Sequence, residues 1–146
     1  HMVAMKRTMS YCVATPERGL VIKPKRKWDG NPEFLFGIEG HSDSDFSKDE
    51  SCHSVSGCVV EVEGVPVCER SRLQRIIALS VTEAELIAAT ETAQDMLYTK
   101  RLLESMGLKV KLPMILNVDN KGCVDLIHNW NVSGRCRHMT VKRATW

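Results

Sequence analysis

The spacing of the apolar residues changes near residue 80, and this change constrains the fold more than any other feature. Before it, β-branched and aromatic residues form three short runs typical of strands, at residues 34–42, 55–62 and 65–70. The dipeptide Glu63-Gly64 between the second and third runs is a tight-turn signal. After the change, apolar residues from Thr82 to Met106 recur at helical spacing. The sequence therefore predicts an antiparallel meander followed by a long helix.

Three shorter elements follow the predicted helix. A buried strand is predicted at residues 114–118, a helix at 122–128 and a weak strand at 139–142. The order of three strands, helix, strand, helix, strand is typical of an α/β domain. We expect its helices to pack on a central mixed sheet.

The N-terminal residues differ from this core. His1-Met2 is interpreted as a cloning remnant. Residues 3–13 have helical propensity, residues 19–22 suit a short strand, and residues 23–32 are polar with two prolines, which indicates a loop. At 146 residues the chain fits one domain, so we expect residues 3–33 to precede a core of residues 34–146.

The basic residues are clustered, although a net charge of +2 is too small to indicate a partner. Such clusters can follow a phosphate backbone, but a solvated surface patch is the commoner explanation of any one of them. The basic candidates for nucleic-acid contact are Arg70, Arg72, Arg75, Arg135 and Arg137.

No apolar run approaches the roughly 20 residues of a membrane span.

The cysteines do not indicate a disulfide framework or a zinc site. None of the six falls in a C-x-x-C pair, and a chain of this length can build a core without disulfides. Cys58 and Cys123 lie within apolar runs, so we expect them to be small buried side chains.

Three acids are candidates for metal chemistry. Asp43 and Asp119 each follow an apolar strand run, and Glu85 lies early in the long predicted helix. Strand ends are where distant side chains converge in an α/β sheet, and clustered carboxylates favour a divalent cation. Taken singly, each acid is more typical of a turn or a helix cap than of a metal site. Either Ser80 with Glu83 or Thr82 with Glu85 could form the capping box of the helix.

Several segments resemble blocks of the RNase H domain of copia-type (Pseudoviridae) LTR retrotransposons. Residues 40–46, GHSDSDF, resemble G-Y-S-D-A-D-W, and residues 77–88, IALSVTEAELIA, resemble V-A-L-S-S-T-E-A-E-Y-I-A. Residues 117–126, NVDNKGCVDL, resemble C-D-N-Q-S-A-I-x-L. Weaker similarities join residues 54–59 to S-T-S-G-Y-V and residues 137–139 to K-H-I. The blocks keep their order and approximate spacing over nearly the whole chain.

The resemblance implies an RNase H-like fold and an enzyme that hydrolyses the RNA strand of RNA–DNA hybrids during reverse transcription. It implies that Asp43, Glu85 and Asp119 bind two Mg²⁺ ions, which Mn²⁺ could replace. The implied partners are the hybrid and the reverse transcriptase of the same Pol polyprotein, with no membrane. The implied location is the cytoplasm, within virus-like particles, or the nucleus.

Other positions enter through the same resemblance. Ser44 and Asn120, beside the acids, are further candidate nucleic-acid contacts, and His138 is a candidate for proton transfer. Thr140 stands where the family's K-H-I-D block has its acid, and a hydroxyl is a poor ligand for Mg²⁺. The alternative is therefore a catalytically weakened domain that binds nucleic acid or supports the reverse transcriptase. The resemblance also implies that the RNase H-like domain is cut short at its C-terminal end.

Overall fold

The computed structural model describes residues 2–19, 22–46, 52–129 and 139–143. It contains three helices and seven strands within these ranges. The elements are α1 (Met2–Ala14), β1 (Leu35–Phe36), β2 (Ile38–Asp45), β3 (Val55–Val62), β4 (Val65–Leu73), α2 (Val81–Ser105), β5 (Lys109–Val110), β6 (Met114–Val118), α3 (Lys121–Asn129) and β7 (Met139–Arg143).

A five-stranded mixed sheet forms the centre of the molecule. Its strand order is β4-β3-β2-β6-β7. The strands β2, β3 and β4 form the antiparallel meander, whereas β6 pairs parallel with both β2 and β7. The predicted α/β class, the mixed sheet and the order of its elements are confirmed.

Local differences from the prediction lie near the N-terminal part of the sheet. The predicted strand at residues 34–42 is interrupted at Gly37, and β2 continues to Asp45. The short strand β1 instead pairs with β5 in a separate parallel sheet. This pairing was not predicted, because a run of two residues is too short to show the alternating pattern of a strand. Of the strand predicted at residues 19–22, residues 20 and 21 lie outside the described ranges. The two flanking residues are not in a strand.

The side chain of Glu63 attaches the N-terminal loop to the sheet and explains the interruption at Gly37. Its Oε1 accepts a hydrogen bond of 2.6 Å from the Gly37 backbone N–H. Its Oε2 accepts one of 2.9 Å from Arg26 Nε, and its backbone carbonyl accepts one of 2.7 Å from the Lys25 N–H. The Arg26 guanidinium holds the pKa of this carboxyl below its usual value, although burial opposes that effect. Part of the basic loop is therefore structural.

The core lies between α2 and one face of the sheet. The buried side of α2 carries small residues at helical spacing, including Ala84, Ala88 and Ala89. These let the helix approach the sheet closely enough that a Cβ on Gly40 would collide with Met96. Apolar strand residues complete the core; they are Ile38, Cys58, Val60, Met114, Leu116 and Val118. Cys123 is also buried, as predicted.

The helix α1 matches the prediction for residues 3–13, and none of its residues is buried. No helix in the described part of the chain is both long and apolar enough to cross a membrane.

We expect Gly40→Ala to lower the free energy of unfolding by about 1–3 kcal/mol, because the added methyl overpacks the interface with Met96 and Thr92. Urea unfolding measures the loss. Gly19→Ala is the matched control, since no atom lies within 4 Å of the Cβ it would add. Equal stability of both variants would contradict the close approach of α2 to β2.

Candidate metal centre

The parallel pairing of β2 with β6 makes two distant acids neighbours. The last aligned pair is Ser42 with Val118, so Asp43 and Asp119 are the next residue on each strand. Adjacent strands lie about 4.8 Å apart, and parallel strands bring their carboxyl ends to the same edge. Both side chains are exposed at this edge.

The third acid comes from α2, and the way this helix begins determines its position. Ser80 is the N-cap, and its Oγ accepts a hydrogen bond of 3.1 Å from the Glu83 N–H. The Glu83 carboxylate in turn accepts one of 2.7 Å from the Leu79 N–H. Of the two capping boxes considered, the helix uses the first. Glu85 is therefore not part of the cap, and it lies on the buried side of α2.

These elements bring Asp43, Glu85 and Asp119 together. One carboxylate oxygen from each lies within 4.8 Å of the other two. Taken singly, each acid was compatible with a turn or cap, but those alternatives do not explain why the three converge.

Glu85 is the buried member of this triad, with 3% of its surface exposed. Its Oε1 accepts hydrogen bonds from the Ser44 Oγ, at 2.8 Å, and the Ser44 N–H, at 3.1 Å. Its Oε2 is buried and has no hydrogen-bond partner among the described residues. A buried carboxylate oxygen without a partner is costly, which points to a missing ligand or proton at this atom.

The electrostatics of the centre favour a proton or a cation. Burial raises the pKa of Glu85 above its usual value of 4.5, the Ser44 hydrogen bond opposes this, and the charges of Asp119 and Asp43 raise it further. Beneath the centre, burial and the nearby Glu85 raise the pKa of the Cys123 thiol to about 11. This thiol therefore stays neutral at physiological pH and acts as core.

Two residues predicted as nucleic-acid contacts, Ser44 and Asn120, also make hydrogen bonds that order the centre. Ser44 positions Glu85 through hydrogen bonds from its Oγ and its N–H, and the same N–H donates one of 2.9 Å to Asp43 Oδ1. The Asn120 Oδ1 accepts a hydrogen bond of 2.9 Å from the Cys123 N–H, which caps α3. Asn120 thus fixes the turn that carries Asp119.

The arginines predicted as nucleic-acid contacts separate into three groups. Arg70 pairs with Asp95 of α2, and Arg72 Nη2 lies 3.1 Å from Glu91 Oε1. Both ion pairs join β4 to α2, and the predicted contact of these arginines with nucleic acid stays a prediction. Arg75 is exposed in the loop before α2. Arg135 and Arg137, together with His138, lie outside the described residues.

The structure does not place Thr140 beside the three acids, as its predicted role requires. On β7 it pairs with Ile115, near the start of β6, whereas Asp119 follows the end of that strand. Four residues of extended chain span about 13 Å. Thr140 therefore does not occupy a fourth position beside the triad, because parallel pairing places it at the opposite end of the strand.

The structure also assembles a cluster that the sequence analysis missed, formed by Glu39, His41 and Glu61. The signal available in the sequence was the Glu-x-His spacing of residues 39 and 41, which puts both side chains on one face of a strand.

Comparisons with known proteins identify relatives of this chain, although no protein-family model matches it. The retrovirus-related Pol polyprotein from transposon TNT 1-94 of Nicotiana tabacum is 35% identical over 106 residues, which are 72% of this chain. The Pol polyprotein from transposon RE1 of Arabidopsis thaliana is 28% identical over 142 residues, or 97% of this chain. The chain spans 8% and 9% of the lengths of these two relatives.

Two further similarities involve other kinds of protein. Secreted RxLR effector protein 161 of Plasmopara viticola is 35% identical over 96 residues, which cover 65% of this chain and 62% of the relative. Among solved structures, the catalytic domain of human endonuclease V aligns with 81% of this chain and 46% of its own, at 21% identity and a TM-score of 0.35.

We expect Glu85→Gln to stabilise the metal-free protein in a pH-dependent way. Because the pKa of Glu85 is raised, the folded protein keeps a proton that the unfolded chain releases, and stability falls as the pH rises from 4.5 through the raised pKa. The variant should match wild type at acidic pH and exceed it by about 1 kcal/mol at alkaline pH. Urea unfolding at a series of pH values with EDTA measures this difference, and Glu17→Gln, at an exposed position, is the control. A difference that does not change with pH would contradict the raised pKa.

Thr140→Asp should leave Mg²⁺ affinity within about twofold of wild type. A new charge about 13 Å from Asp119 lies beyond the screening length at physiological salt. Calorimetric titration with Mg²⁺ measures the affinity. A much larger increase would mean that position 140 does contribute to the triad.

Proposed function

We propose that this chain is a metal-dependent endoribonuclease domain. Its homologues include Pol polyproteins of copia-type plant transposons, as the sequence resemblance indicated. Its substrate is the RNA strand of an RNA–DNA hybrid formed during reverse transcription. The observation that carries the proposal is the convergence of Asp43, Glu85 and Asp119, in which the buried Glu85 Oε2 has no hydrogen-bond partner among the described residues.

The donor set of the triad suits Mg²⁺. All three side chains offer carboxylate oxygens, the hard ligands that Mg²⁺ takes, and Mg²⁺ keeps several waters when few protein ligands are present. A divalent ion also offsets the mutual repulsion of the acids, which otherwise raises the pKa of Glu85. When two ions are bound, they supply an activated water and stabilise the leaving oxygen of a phosphodiester.

The side chains of the triad have different tasks. The carboxylate of Glu85 accepts two hydrogen bonds from Ser44, which fix its position without a bound ligand. Asp43 and Asp119 are exposed, so cations held by them would be open to a backbone phosphate. This division of roles favours metal binding, because a buried side chain that is already rigid loses little conformational freedom when an ion binds.

Space for a nucleic acid lies beside the triad. A surface groove of about 670 Å³ runs over β2, β3 and β4, and His41, Asp43, Val59 and Ser71 are among its lining residues. A hybrid bound there would be recognised through its backbone and 2′-hydroxyl groups, since a duplex gives little access to its bases. As a domain of a Pol polyprotein, the chain would work alongside the reverse transcriptase.

Cleavage of an end-labelled RNA–DNA hybrid tests the proposal. Wild type should cleave the RNA strand with Mg²⁺ or Mn²⁺ and should leave double-stranded DNA intact. Asp119→Asn should lower the rate by at least about 100-fold, because it removes a metal ligand at the reacting centre. Asp125→Asn, an exposed acid on α3, is the matched control and should retain the wild-type rate.

Binding of the same hybrid, measured by fluorescence anisotropy, separates the enzyme from its alternative. If wild type binds the hybrid but cleaves it with neither ion, the chain is a nucleic-acid-binding domain and not a nuclease. Equal rates for wild type and Asp119→Asn would mean that the triad is not the catalytic centre.

A further inference from the structure

A second group of metal-binding side chains lies on the sheet face opposite α2. Along β2 and β3 the residues facing α2 are buried, and the alternate residues Glu39, His41 and Glu61 are half-buried on the other face. One ligand atom from each lies within 4.8 Å of the other two. The register pairs Glu39 directly with Glu61, and His41 lies two residues further along β2. Two hydrogen-bonded strands therefore hold the three side chains in place.

Two carboxylates of this cluster face each other across neighbouring strands. Like charges directly opposite each other on neighbouring strands destabilise a sheet, and Glu39 and Glu61 occupy such positions. Lys25 Nζ lies 3.3 Å from both carboxylate oxygens of Glu39, but its side chain is 60% exposed. A divalent cation between the two carboxylates would balance the charge of both.

The ligand types distinguish this cluster from the triad. The triad offers oxygen alone, whereas the cluster combines an imidazole nitrogen with two carboxylates, a set that suits Zn²⁺ and neighbouring transition ions. We propose that Glu39, His41 and Glu61 form a second metal site for ions of the zinc class, in which water completes the coordination. His41 also lines the groove over the sheet, so solvent can deliver an ion to it.

A metal in this site would have two local effects. It would join β2 to β3 through side chains, in addition to their backbone hydrogen bonds. It would also place positive charge near the triad, because His41 precedes Asp43 by two residues, or about 7 Å along the strand. The site is independent of the proposed nuclease activity, since it uses none of the triad residues.

Co²⁺ binding, followed by paramagnetic broadening of backbone amide signals in NMR spectra, tests this site. The experiment uses the Glu85→Gln/Asp119→Asn background, which removes the oxygen site and leaves β2 unchanged. Broadening should centre on Glu39, His41 and Glu61, and Zn²⁺ should reverse it by competition. Adding Glu61→Gln, which keeps the shape of the side chain, should weaken Co²⁺ binding at least about tenfold.

Two more variants and one control test whether Co²⁺ affinity changes in the expected direction. Lys25→Met removes the competing ammonium and should strengthen Co²⁺ binding roughly two- to tenfold. His41→Ala should weaken binding, whereas His128→Ala, at an exposed position on α3, should leave it unchanged. Unchanged affinity in both Glu61→Gln and His41→Ala, or broadening centred elsewhere, would overturn the second site. Because the background lacks a working triad, neither outcome bears on the nuclease proposal.

Discussion

The parallel pairing of β2 with β6 is the constraint on which the candidate centre depends. It aligns Ser42 with Val118, and the next residue on each strand is an acid. A slip of one residue would turn one of these acids to the other face, because side chains alternate along a strand. The buried apolar residues of β6 oppose such a slip, since Met114, Leu116 and Val118 would leave the core. Core packing therefore sets the geometry of the acids.

The position of Glu85 depends on the same core. Small residues on α2 allow the helix to lie close to Gly40, and this proximity brings a buried carboxylate to the end of β2. The cost is visible in its raised pKa and in its Oε2, which has no hydrogen-bond partner in the part of the chain that the structure describes. A bound cation would offset this cost by balancing the charge of the carboxylate.

The two faces of β2 and β3 support different chemistry. On the α2 side, Cys58 lies in the core and Asp95 pairs with Arg70, so these two polar contacts serve packing. On the other face, Glu39 and Glu61 oppose each other with partial compensation from Lys25. On this partly open face, the proposed second metal site would not disturb the core.

The sequence by itself determined the order and type of the elements, because apolar period, turn residues and caps are local signals. It also identified Asp43, Glu85 and Asp119, through the resemblance of the segments around them. Only the tertiary structure decided their convergence, the ion pair that occupies Arg72 and the distance of Thr140 from the triad. These depend on strand register and on which face of a helix meets the sheet. Both are set by contacts between residues far apart in the chain, which no local pattern encodes.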